Sequence, residues 1–183
     1  VWTYHRPNEL CNIDQAWGKV VATYRDNAGC GDVVAIDSLT GQYAGTRSAI
    51  APEVVTRLAS NDRIGYASSE RVELWRSDLV RTVEYGRVEA KQEPDMQPNE
   101  CTITSALTRT ELLAVTEICD DGAHLRLQEA TPEDSRKPEI LADIEINADA
   151  YLVAISQDAA AIYDPAESEV RAYTKEGTNV SSS

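Results

Sequence analysis

Short apolar runs separated by polar turns recur along this chain. Val20-Val21-Ala22-Thr23-Tyr24 leads through Asn27–Gly31 to Asp32-Val33-Val34-Ala35-Ile36-Asp37 and on to Thr40-Gly41. The same sequence of run, turn and run returns as Arg63–Ser69 with Arg71–Ser77, as Leu112–Cys119 with Ala123–Ala130, and as Tyr151–Gln157 with Ala159–Asp164. Within Arg71-Val72-Glu73-Leu74-Trp75-Arg76 the apolar and polar positions alternate, as they do in His124-Leu125-Arg126-Leu127-Gln128. A period of two is that of a strand with one packed face and one wetter face. Val20–Thr23 and Tyr151–Ile155 are nearly continuous apolar runs, which suits inner strands covered on both faces. Asp26-Asn27-Ala28-Gly29, Ser69-Glu70, Asp120-Asp121-Gly122 and Gln157-Asp158 supply the tight polar turns that hairpins need. Pro52–Ser60 alternates at Val54, Thr56 and Leu58 and reads as a strand, as does Val1-Trp2-Thr3-Tyr4.

The hairpins begin near Val20, Arg63, Leu112 and Tyr151, so the units are spaced by 43, 49 and 39 residues. Repeats of about 40–50 residues built from four short strands are those of a propeller. The pattern therefore predicts an all-β chain: about four four-stranded antiparallel blades, with units over 1–50, 51–94, 95–146 and 147–183. Such an array is part of a larger ring or a half-ring that dimerises, because an open array exposes unpaired edges. The polar segment Glu89–Asn99, with Pro94 and Pro98, reads as a linker between blades, and Glu133–Pro138 as a second polar loop.

Charge and cysteine narrow the function classes. The 183 residues carry a formal charge of −14, from 31 acidic and 17 basic side chains. That excess disfavours nucleic acid and anionic membrane surfaces as partners. No run of 18 apolar residues exists, so no membrane insertion is expected. Without a leader sequence, the abrupt start reads as that of a chain whose export signal or anchor has been removed. Cys11 and Cys30 lie 19 apart and Cys101 and Cys119 lie 18 apart, each pair bracketing the first strand of a hairpin. Neither pair has a zinc-ligand spacing. Two local disulfides, Cys11–Cys30 and Cys101–Cys119, are the economical reading, each contributing on the order of 3 kcal/mol and placing the chain in an oxidising compartment. Four reduced, buried thiols are the alternative; the matching positions in two repeats argue against it.

Candidate chemistry is sparse. His5 and His124 are the only histidines and make no catalytic dyad; no GxSxG, GxGxxG or P-loop occurs. Asp26, Asn27 and Asp32, and Asp120 with Asp121, are oxygen-rich turns without the spacing of a calcium loop. Glu93–Asp95 and Glu133–Asp134 read as solvated loops, and Asn179-Val180-Ser181 has the form of a glycosylation acceptor. Trp2 and Trp75 are expected on strands, packed between blades.

One segment carries a family resemblance. Val1-Trp2-Thr3-Tyr4, Val20–Tyr24 and Asp32-Val33-Val34-Ala35-Ile36-Asp37-Ser38-Leu39-Thr40-Gly41-Gln42-Tyr43 together resemble the repeat of the quinoprotein-like β-propellers. Ala161-Ile162-Tyr163-Asp164-Pro165 and Val170-Arg171-Ala172-Tyr173 match it in part. The resemblance implies a bacterial extracytoplasmic member that binds a protein or cell-envelope component, with self-association as a further option. The tryptophan floor, calcium ligands and catalytic Asp of the family's quinone enzymes have no counterpart that can be placed in this sequence. No catalytic, metal or cofactor residue is therefore assigned and no cofactor is expected. A fragment of a quinone- or calcium-dependent propeller enzyme, or a scaffold for an adjacent domain, are the other readings.

Overall fold

The computed structural model describes residues 1–88, 96–97 and 101–181. They form strands and no helix. The first sheet is β1 (Leu10–Ala16), β2 (Lys19–Asp26), β3 (Gly29–Asp37) and β4 (Tyr43–Ser48). The second is β5 (Thr56–Ala59), β6 (Ile64–Ala67), β7 (Arg71–Trp75) and β8 (Arg81–Gly86). The third is β9 (Thr102–Arg109), β10 (Leu112–Cys119), β11 (Gly122–Glu129) and β12 (Ile140–Ile146). β13 (Tyr151–Ile155), β14 (Ala159–Asp164) and β15 (Glu169–Thr174) make the fourth, which has three strands rather than four. Beyond β15 there is a single bridge between Tyr173 and Asn179. Every sheet is antiparallel and runs in chain order.

The first strands of successive sheets lie side by side, β1 by β5, β5 by β9 and β9 by β13. They begin at Leu10, Thr56, Thr102 and Tyr151, so the true repeat is 46, 46 and 49 residues. The expected spacing slipped because Val20, Arg63 and Leu112 mark second strands whereas Tyr151 opens a first strand. Continuous apolar runs caused the slip. Val20–Thr23 belongs to β2, away from the axis, and is apolar because both its faces are covered. Val21 packs toward the second sheet, and Ala22 and Tyr24 pack on the opposite face with Val34, Ile36 and Trp2.

Trp2 is not on a strand, contrary to expectation. Its indole N–H donates to the Ser38 carbonyl at 3.0 Å and its ring lies on Gly41. Gly41 has φ +73°, and a Cβ there would stand 2.5 Å from the indole. The segment before β1 is thus a strap over the free face of the first sheet. Of Pro52–Ser60, only Thr56–Ala59 pairs as a strand.

Three apolar cores separate the four sheets. Ala16, Val21, Val33 and Ala35 meet Ile64, Tyr66, Trp75 and Leu79. Leu58, Val72, Leu74, Val83 and Tyr85 meet Ile103, Leu113 and Val115. Leu112, Ala114, Leu125 and Leu127 meet Leu152, Ala160, Ile162 and Tyr173. Each inner sheet feeds alternate residues into two cores, so it has no wet face. The expectation of a wetter polar face on β7 therefore fails: Arg71 is 6% exposed and Glu73 1%. Gly65 lets β6 and β7 approach, since a Cβ there would sit 1.8 Å from the Glu73 carbonyl oxygen.

All four cysteines are paired. Cys11–Cys30 ties the start of β1 to the start of β3, and Cys101–Cys119 ties the residue before β9 to the end of β10. Of the expected linker Glu89–Asn99, all but Met96 and Gln97 lie outside the described residues, as does the Glu93–Asp95 cluster.

Candidate partner-binding rim

Alternation on β7 places Arg71, Glu73 and Trp75 on one face, and the first sheet covers them. Burying Glu73 demands partners, because an unpaired buried carboxylate is costly. It has four. Arg71 Nη2 donates to Oε1 at 2.6 Å and the Trp75 indole N–H to Oε2 at 2.8 Å. Arg47 of β4 reaches across from the first sheet to Oε2 at 3.3 Å, and Arg81 of β8 lies 3.4 Å from Oε1. Glu84 of β8 joins through Arg71, at 2.8 Å, and Arg81. The Arg47 guanidinium also stacks over the Trp75 ring, 5.3 Å from its centroid, and donates to the Leu79 carbonyl at 2.9 Å. Burial alone would raise the Glu73 pKa. The charges of Arg47 and Arg71 and the Trp75 hydrogen bond overcome it and hold the carboxyl below the ordinary glutamate value.

This network opens onto the outer edge of the second sheet. The edge strand β8 is partly closed by two borrowed groups. The Glu84 N–H donates to the Ser135 carbonyl at 2.6 Å, and the Gly86 N–H to Gln97 Oε1 at 3.1 Å. Gln97 Nε2 returns hydrogen bonds to the carbonyls of Glu84, at 2.8 Å, and Arg136. The loop 131–139 is itself fixed. Asp134 accepts from the Arg136 N–H at 2.9 Å, and Glu139 from the Glu133 N–H at 2.7 Å. Between β8 and this loop lies a cleft of about 840 Å³, lined by Arg76, Arg81, Thr82, Pro132, Lys137 and Pro138 among others. A smaller cleft of about 290 Å³ lies beside it, lined by Ala49, Ile50, Arg71, Arg81, Glu84, Val88 and Arg136. Sequence reading placed Arg136 and Lys137 in a polar loop and missed Arg47, Arg71, Glu73, Arg81 and Glu84. Their signal was an Arg-x-Glu-x-Trp strand, which looks the same whether it faces water or a neighbouring sheet.

A second buried network bridges the second and third sheets. The Tyr85 hydroxyl donates to Glu117 Oε1 at 2.8 Å, and Arg126 Nε lies 2.6 Å from the same oxygen. Burial dominates here and raises the Glu117 pKa, with Tyr85 and Arg126 only partly offsetting it. His124 of β11 pairs with Asp143 at 2.8 Å and Asp121 at 3.3 Å, while His5 is exposed in the strap. Among the described residues, two clusters have the composition of metal ligands: Cys101, Glu117 and Cys119, and Cys119, Asp121 and His124. Both rely on sulfurs already bonded to each other, so neither offers a thiolate. Asp26 and Asp37 accept hydrogen bonds from turn backbone, Ala28 N–H at 2.7 Å and Thr40 N–H at 2.7 Å. On the outward face of the fourth sheet, Tyr151, Val153 and Val170 are exposed.

No family model and no curated protein matches this sequence. Solved structures do resemble it. The chain is similar to the computationally designed Ika4 protein over 93% of both chains, at 14% identity and a TM-score of 0.57. It is similar to the designed Ika8 protein over 95% of this chain and 48% of that one, at 14% identity and 0.58. Hsv2p of Kluyveromyces lactis matches over 88% of this chain and 54% of its own, at 14% identity and 0.55. The fold is that of a β-propeller. The chain spans about half the length of Ika8 and Hsv2p.

Proposed function

We propose that this chain is a non-catalytic, extracytoplasmic β-propeller module of the quinoprotein-like kind that binds a protein or cell-envelope component through the rim of its second sheet. The observation that carries the reading is the 840 Å³ cleft between the edge strand β8 and the pre-fixed loop 131–139. Thr82 on that edge faces the cleft, and sheet edges beside a groove accept extended segments of a partner. Exposed Lys137 and Arg76 line it together with exposed Glu133 and Glu139. The buried carboxylates of Glu73 and Glu84 already hold arginines, which suits a fixed binding surface rather than proton transfer. The Asp32–Tyr43 motif supports the family reading, and the two disulfides support an oxidising compartment.

The test is site-specific photo-crosslinking in the organism that makes the protein. A crosslinker at Lys137 should trap one defined protein, whereas one at exposed Leu39 on the β3–β4 turn should not. No adduct at Lys137, or the same adducts from both positions, would contradict the reading.

A further inference from the structure

We infer that the outward face of the fourth sheet is a self-association surface, on which a second copy of this chain docks through the same face. Strand register fixes which side chains share that face. Tyr151 pairs with Tyr163 and Tyr163 with Val170; Ala154 pairs with Ala161 and Ala161 with Ala172. Cross-strand partners project to one side of a sheet. Leu152, Ala160, Ile162 and Tyr173 alternate with them and face the third sheet. The outward face is therefore two uncharged rows about 7 Å apart, one of large side chains and one of alanines. The rings of Tyr151 and Tyr163 meet edge to face in the first row, 5.8 Å between centroids. Tyr151 is 45% exposed and Val170 54%, and none of the six belongs to an apolar core among the described residues.

Three observations name the occupant. The first is the other end of the array. The first sheet's outward face carries the strap, with Trp2 packed among Ala22, Tyr24, Val34 and Ile36 and Arg6 lying 5.2 Å from the centre of the Tyr24 ring. A head-to-tail contact would have to displace that strap, whereas the fourth sheet has no such cover among the described residues. The second is charge. The chain carries −14, so most of its surface repels a second copy, yet both rows of this face are uncharged. The third is shape. A twofold axis running between the rows and along them sets Tyr151 over the second copy's Ala154, Tyr163 over its Ala161 and Val170 over its Ala172, with the same contacts in reverse. Large meets small at every position, which is the condition for an isologous contact. The result is a further sheet-on-sheet interface of the kind that forms the three inner cores. A face three strands wide supports a weak dimer, with a dissociation constant on the order of 10 µM. The inference does not rest on the partner-binding rim, which belongs to the second sheet.

The experiment is sedimentation velocity of the purified chain across a concentration series from about 1 to 200 µM, which brackets the expected constant. The expected result is a concentration-dependent passage from monomer to dimer. Val170→Glu places a charge in the large row and should weaken the dimer by at least about tenfold, with an unchanged melting temperature. Tyr43→Glu, at an exposed position on the first sheet, should leave it unaltered. Isotope-filtered nuclear Overhauser spectra of a mixture of ¹³C-labelled and unlabelled wild-type chains test the face without any substitution. They should show the Tyr163 ring of one copy against the Ala161 methyl of the other. A monomer throughout the series, a dimer indifferent to Val170→Glu, a dimer lost in Tyr43→Glu, or intermolecular contacts from Tyr163 to the first sheet would each overturn the inference.

Discussion

Arg47 on β4 of the first sheet lies 3.3 Å from Glu73 on β7 of the second, and its guanidinium covers the indole of Trp75. One side chain thus joins two sheets by charge and by ring stacking at once. The contact lies where the apolar core of Ile64, Tyr66 and Trp75 gives way to the rim.

Glu73→Gln should destabilise the fold by about 3 kcal/mol, since three guanidiniums would then share a single carboxylate. It should also change the acid limb of the stability curve. The Glu73 pKa is lowered in the folded chain, so its contribution is present above the ordinary value of 4.5 and is lost as pH falls through the folded value. Urea unfolding between about pH 3 and pH 7 should show a shallower acid limb in the variant than in the wild type.

Glu117 carries the opposite sign. Its folded pKa is raised, so its contribution is greatest below the ordinary 4.5 and declines as pH rises through the folded value. Tyr85→Phe removes the hydroxyl that donates to the Glu117 carboxylate and should steepen that decline. The loss near neutral pH should be about 1–2 kcal/mol, read from the same urea series.

Trp75→Ala should cost about 3–5 kcal/mol, because the ring fills the gap between the first two sheets and its N–H satisfies Glu73. Gly65→Ala tests the same junction from the backbone. With a Cβ 1.8 Å from the Glu73 carbonyl oxygen, β6 and β7 must separate, and the loss should be on the order of 3 kcal/mol. Thermal unfolding followed by far-ultraviolet circular dichroism reports both, since that signal comes from the strands and survives the loss of Trp75.

The pattern of apolar runs and turns was enough to give the central antiparallel hairpin of the first three sheets, the β13–β14 hairpin of the fourth and the sheet count, but it did not mark β1, β9 or β12 and it read Val1–Tyr4 as a strand. The phase of the repeat was not legible. A run such as Val20–Thr23 is equally apolar whether it lines an axis or is covered by a strap at Trp2, and only the neighbour distinguishes them. The rim was hidden for a related reason. Arg71-Val72-Glu73-Leu74 alternates like a half-wet strand, yet the first sheet buries the polar half. Nothing local records that Arg47, some 26 residues earlier, supplies the counter-charge. The disulfide pairing was readable from the two similar spacings, although each loop holds two strands of one sheet, β1 with β2 and β9 with β10, rather than the single strand expected.

Double replacement of Cys101 and Cys119 by Ser should lower stability by about 3 kcal/mol. The loss should appear in hydrogen exchange first at β9 and β10, the strands that this bond ties together. Equal loosening of β2 and β3 would contradict the assignment of that disulfide to the third sheet alone.

Hydrogen–deuterium exchange of the chain alone and in complex with the partner trapped at Lys137 tests the central claim most directly. The account predicts new protection over Arg81–Gly86 and residues 131–139, with the outward face of β13 and β15 unchanged. Protection confined to Tyr151–Ile155 and Glu169–Thr174, with β8 unaffected, would contradict it.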